Sequence, residues 1–116
     1  MRGELIQSNL LTISTVRLYN YLNKNRVDFL KLDIEGSEFE VLKDGGGLLG
    51  ALKFTFVEFH AVPDKRQDLG ALISLFEDKG FRVHIHTQFF SKRPFLGIQD
   101  QQGFDMNLNI FFWKAS

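Results

Sequence analysis

The sequence predicts a layered α/β domain: a mostly parallel sheet with flanking helices, ending in a C-terminal antiparallel hairpin. Three observations carry this. Two mostly apolar runs, Val27–Ile34 and Leu52–His60, are rich in residues that suit a pleated surface, and each ends abruptly in charge. Around them, apolar residues recur at helical spacing, most clearly Leu69, Leu72, Ile73 and Phe76. Strand-like and helix-like segments therefore alternate, as they do when helices connect parallel strands.

Glu4–Ile13 carries Leu5, Ile6, Leu10, Leu11 and Ile13 and reads as a first strand. Ser14-Thr15 can cap a short helix with Val16, Leu18, Tyr19 and Leu22 as its apolar side. A turn at Asn23–Asn25 leads into the strand Val27–Ile34. Gly36 breaks that run. Ser37-Glu38-Phe39-Glu40 fits S-x-x-E, in which serine caps a helix start and the glutamate reaches back to it. The helix is expected over Ser37–Lys43. Gly45-Gly46-Gly47 follows a helix rather than opening one, so it reads as a left-handed helix cap and not as a phosphate-cradling loop. The strand Leu52–His60 follows, then the loop Ala61–Arg66, then the amphipathic helix ended by Gly80. Phe81–His86 alternates apolar and polar, as a strand with one wet face does. Leu108–Trp113 is the last strand. Thr87–Asn107 between them is long for a structureless loop and holds six large apolar residues, so it is expected to fold over the sheet, cover a pocket or meet a partner.

The chain has 116 residues, enough for one domain. Fourteen basic and fourteen acidic residues give zero formal net charge and are interspersed, which argues against nucleic acid as a partner. The absence of cysteine excludes a disulfide scaffold, a thiolate metal site and a cysteine nucleophile. No apolar run approaches a membrane span, and the N-terminal residues lack a signal-peptide core, so no membrane partner is expected and a cytoplasmic location is the default. Thirteen phenylalanines point to an aromatic core or interface.

The candidate site lies at the strand ends. In open α/β sheets, ligands bind just beyond the carboxyl ends of the strands. Asp33 and Glu35 stand at one such end. A carboxylate there can orient a hydroxyl or ammonium group or contribute to a metal site; alternatively, Glu35 and Glu38 only favour the positive end of the helix dipole. Glu58 and His60 stand at the next strand end, two residues apart and so on one face. They are either a functional pair or a polar pair bonded to nearby backbone. Lys31 interrupts a buried strand two residues before Asp33 and can pair with it. His84 and His86 share a strand face, but the spacing suggests no third ligand, so a solvated face is expected there and no metal site.

KLDIEGSEFEVLKDG, residues 31–45, resembles the K-[IL]-D-[IV]-E-G-x-E-x-x-V-L-x-G signature of the FkbM family, S-adenosylmethionine-dependent methyltransferases that mostly methylate hydroxyl oxygens. The resemblance continues through VEFH at 57–60 and LISLFEDKGFRV at 72–83, and extends over roughly Leu11 to Trp113. It implies the second half of a class I, Rossmann-like methyltransferase fold. The family's glycine-rich cofactor loop after its first strand has no counterpart here. Residues 1–116 are therefore expected to form a single, partial methyltransferase domain that binds S-adenosylmethionine weakly or not at all alone. The resemblance also implies roles. Asp33 and Glu35 would face the cofactor. His60 would take the proton of a small-molecule or glycan hydroxyl, with Glu58 as its orienter or a substrate contact and Asp33 beside them. The alternative is a non-catalytic module that self-associates or pairs with an N-terminal half.

Overall fold

The computed structural model describes residues 10–13, 18–33 and 36–114. Five strands form one sheet: β1 (Leu10–Ile13), β2 (Phe29–Leu32), β3 (Phe54–Ala61), β4 (Arg82–Phe89) and β5 (Met106–Trp113). Three helices connect the first four, α1 (Leu18–Lys24), α2 (Glu38–Gly45) and α3 (Leu69–Glu77), and a 3₁₀ turn over Gly46–Ala51 extends α2. The sheet order is β1-β2-β3-β5-β4. β1, β2 and β3 run parallel, and β5 pairs antiparallel with both β3 and β4. The α/β class and the final antiparallel pair follow the sequence expectation. The expected strand over residues 4–9, the cap at Ser14-Thr15, and Ile34 and Glu35 lie outside the described residues.

One face of the sheet makes the core. Leu30 and Leu32 of β2 lie in register with Thr55 and Val57 of β3, and Thr55, Val57 and Phe59 with Phe112, Ile110 and Leu108 of β5. All are buried. Residues two apart on a strand share a face, so this alternation is what one covered face requires. Leu18 of α1, Leu42 of α2, and Leu72 and Phe76 of α3 close over it, with α2 packed between α1 and α3. Phe76 stacks on Phe112 with ring centroids 4.1 Å apart and meets Phe81 edge-on at 5.3 Å. Gly45 lets α1 approach α2, because a side-chain carbon there would lie 2.9 Å from Leu18 Cδ2.

The other face carries Phe29, Phe54, Phe56, Phe111 and Trp113 with Lys31, Glu58, His60, His84 and His86. Phe29, Phe54 and Phe111 are 40%, 51% and 36% exposed. Parallel strands are normally covered on both faces. Here, among the described residues, the helices cover one.

Several boundaries differ from the expectation. The S-x-x-E pattern does not form a capping box: Ser37 is the N-cap but its side chain makes no capping bond, and Glu40 is exposed. β4 and β5 both run longer than expected, so the connection shortens to residues 90–105. It is partly ordered by its own bonds. Ser91, buried, accepts from the Gln99 N–H at 2.7 Å, and Gln101 bridges to Phe104 around a tight turn at Gln102-Gly103. Phe95 and Leu96 at its tip remain exposed. β4 is an edge strand with no deeply buried residue, since among the described strands it pairs with β5 alone.

Candidate active site

The carboxyl ends of β2 and β3 lie side by side because the two strands pair in parallel register. Asp33 directly follows β2 and His60 is the penultimate residue of β3. Helix α2 starts immediately above them. Between β2 and α2 the chain must turn sharply, and Gly36 makes this possible. Its φ is +100°, and a side-chain carbon there would meet Val62 Cγ2 at 3.0 Å. Both the dihedral and the close approach require glycine.

The tight turn places Glu38, in the first turn of α2, over the end of β3. Its side chain is almost completely buried, at 1% exposure. One oxygen, Oε2, accepts from the Gly36 N–H at 2.9 Å and faces His60 Nδ1 at 2.9 Å. The other, Oε1, accepts from the His60 N–H at 3.3 Å. A carboxylate only accepts, so the ring nitrogen that faces it carries the proton. Both carboxylate oxygens are thus engaged, and the ring of His60 is fixed in tautomer and direction. The helix N-terminus adds a favourable field for the negative charge.

His60 Nε2 then points the other way, 4.0 Å from Asp33 Oδ1. Asp33 is 5% exposed and the His60 side chain 9%. The ring of Phe104, brought back by the turn at Gln102-Gly103, lies over the imidazole with centroids 4.7 Å apart. Glu58, two residues back on the same face, completes a cluster: one donor atom each from Asp33, Glu58 and His60 lie within 4.8 Å of one another. A cleft of about 220 Å³ opens beside His60, between Glu38, Phe39 and the loop Val62–Asp68, with Lys65 and Arg66 at its rim.

The structure brings together Asp33, Glu58 and His60, three residues singled out in the sequence, and the partner of His60 Nδ1 is Glu38, not Glu58. Glu35 lies outside the described residues. His84 and His86 stay apart from the cluster, exposed on β4, with their Nε2 atoms 2.9 Å from each other. Two further residues were not anticipated. Asn107 lies opposite His60 and Asn109 opposite Glu58 in the β3–β5 register. Directly opposed residues share a face. The Oδ1 atoms of both asparagines are buried and have no hydrogen-bond partner among the described residues. Their spacing in sequence repeats that of Glu58 and His60, but only the pairing of β5 with β3 sets the two pairs against each other.

This is an α/β protein with an imidazole and carboxylates gathered at the carboxyl ends of its parallel strands, the place where such sheets bind ligands. The sequence model of the FkbM methyltransferase domain matches residues 2–83, and the chain belongs to that family. The match takes in Asp33, Glu38, Glu58 and His60 and ends inside β4, so β5 and its asparagines lie beyond it. Comparison with curated proteins and with solved structures gave no match. No helix among the described residues is long and apolar enough to cross a membrane.

Proposed function

We propose that this chain supplies the acceptor side of an S-adenosylmethionine-dependent O-methyltransferase in which His60 takes the proton of a small-molecule or sugar hydroxyl. The observation that carries this reading is the Glu38–His60 pair. Glu38 holds Nδ1 protonated and turns Nε2 towards Asp33 and the strand-end cluster, where the neutral ring would offer its lone pair. A hydroxyl hydrogen-bonded to Nε2 gains electron density at oxygen as its proton moves to the ring. The Glu38 carboxylate stabilises the imidazolium that forms. Asp33 and Glu58 orient the acceptor by taking hydrogen bonds from its other hydroxyls. Phe104 keeps water from one side of the ring.

The described residues fit the acceptor better than the cofactor. Small-molecule sites usually run from about 300 to 1,000 Å³, and the cleft beside His60 is about 220 Å³. Gly45-Gly46-Gly47 ends a helix and leads into a 3₁₀ turn, so it presents no helix start to a phosphate or ribose. The methyl donor would be held mainly by groups outside the described residues.

The test is transfer of radiolabelled methyl from S-adenosylmethionine at millimolar concentration to a panel of glycosides, phenols and hydroxy acids. His60→Ala should lower any methyl-ether formation about a hundred-fold, the usual scale of a general base. Unchanged transfer by a folded His60→Ala protein sinks the proposal. A second reading, a non-catalytic module that pairs with another chain, is favoured by the bare aromatic face of the sheet. Sedimentation showing a stable dimer, with no transfer to any acceptor, would favour it.

A further inference from the structure

We propose that Asp33, Glu58 and His60 form a binding site for a single divalent transition ion, Zn²⁺ or Mn²⁺, and that the ion switches off the proton transfer at His60. The inference rests on the methyl-transfer reading only in its second part; the ion site stands on geometry alone.

Four observations lead to it. First, the three side chains offer one nitrogen and two carboxylate donors, all within 4.8 Å of one another. Metal–ligand bonds of about 2.0–2.2 Å put neighbouring ligands about 3 Å apart and opposed ligands about 4.3 Å apart. Side-chain rotations that draw the widest pair in by about 1–2 Å close the cluster on one ion. Second, His60 Nε2 and Asp33 Oδ1 face each other across 4.0 Å, a separation close to twice a metal–ligand bond. Third, His60 is already oriented as metal-binding histidines are. Its other nitrogen is held by a buried carboxylate, Glu38, which is not itself a member of the cluster. Fourth, the Oδ1 atoms of Asn107 and Asn109, buried and without a partner among the described residues, lie opposite His60 and Glu58 on the same face. Buried oxygens without donors are costly, and a cation with its bound waters would satisfy them.

The donor set selects the ion. An imidazole disfavours magnesium and calcium, and the lack of thiolate disfavours copper(I). One imidazole with two carboxylates suits zinc or manganese. His60 Nε2 has a single lone pair. It binds the ion or takes the hydroxyl proton, so an occupied site cannot perform the transfer proposed above.

The experiment uses the full chain freed of metal by chelation, carrying His84→Ala and His86→Ala so that the exposed histidine pair contributes nothing. Calorimetric titration with Zn²⁺, and loss of the free Mn²⁺ resonance signal, read binding directly. One ion per chain with a dissociation constant of about 10 μM or tighter is expected, about 7 kcal/mol of binding. Glu58→Gln and Asp33→Asn should each weaken it ten-fold or more, while Glu77→Gln on α3 should leave it unchanged. Circular dichroism checks that each variant folds, and Glu58, only half-buried, decides the matter if Asp33→Asn unfolds. No binding up to millimolar ion, or binding that a folded Glu58→Gln protein retains in full, overturns the site. Methyl transfer by a chain that binds no ion overturns only this inference, and a chain that binds the ion yet transfers nothing when freed of it overturns only the function proposed above. Transfer undiminished by saturating Zn²⁺ overturns the switch.

Discussion

Replacing Glu38 with alanine removes the one acceptor shared by three donors, the Gly36 N–H, the His60 N–H and His60 Nδ1. A buried donor left without a partner costs about 1–3 kcal/mol. The cleft beside His60 lets water reach part of the vacated space, so the lower half of that range applies to each donor. Three donors then give a loss of about 3–6 kcal/mol, set against a total stability of about 5–15 kcal/mol for a domain of this kind. Glu38→Gln keeps the shape and one oxygen but turns an amide N–H₂ towards a donor, and should cost roughly half as much. Urea unfolding followed by the fluorescence of Trp113, the single tryptophan, measures both. The midpoint should fall while the denaturant slope stays constant, because the surface exposed on unfolding is unchanged. A loss below about 1 kcal/mol for Glu38→Ala would refute the view that this carboxylate organises the turn and the imidazole.

Gly36→Ala forces a side chain into φ +100° and against Val62, and should cost about 1–3 kcal/mol in the same unfolding assay. Phe76→Ala removes a fully buried ring stacked on Phe112 and should cost about 3–5 kcal/mol, read as a lowered midpoint of thermal unfolding. S-adenosylmethionine should bind the chain alone with a dissociation constant weaker than about 10 μM, equivalent to less than roughly 7 kcal/mol. Isothermal titration checks this, and tighter binding would show that the cleft beside His60 accepts more of the cofactor than its volume suggests.

Much of the sheet is legible in the sequence because its pattern is local. The apolar run Leu52–His60 marks a strand, although its burial runs against residue type, with Thr55 buried and Phe54 exposed, and the switch from apolar run to Asp33 marks a strand end whatever lies around it. The same locality explains what was missed. S-x-x-E directs attention to Glu40, since a capping box is a contact within one turn. The bond that forms instead joins Glu38 to His60, 22 residues away, and depends on how α2 sits over the end of β3. Asn107 and Asn109 look like the polar half of an alternating strand. Their importance appears only when β5 pairs with β3 and leaves their oxygens without donors. β4 and β5 outran their expected ends because pairing with each other stabilises residues whose own composition is neutral.

The position of β5 has a consequence for how the chain acquires its structure. It is the last described strand, yet it sits between β3 and β4, which precede it. Until residues 106–113 arrive, β3 has one unpaired edge and β4 has no strand to pair with among the described residues. The sheet cannot grow outward in the order of synthesis; it waits for an insertion. Pairings of large sequence separation, such as Phe54 with Trp113, slow folding because the loop must close before the contact rewards it. During that interval the phenylalanine-rich edge of β3 is open to other chains, and aggregation competes with completion. A nascent chain halted before Met106 would be the most vulnerable form of this protein.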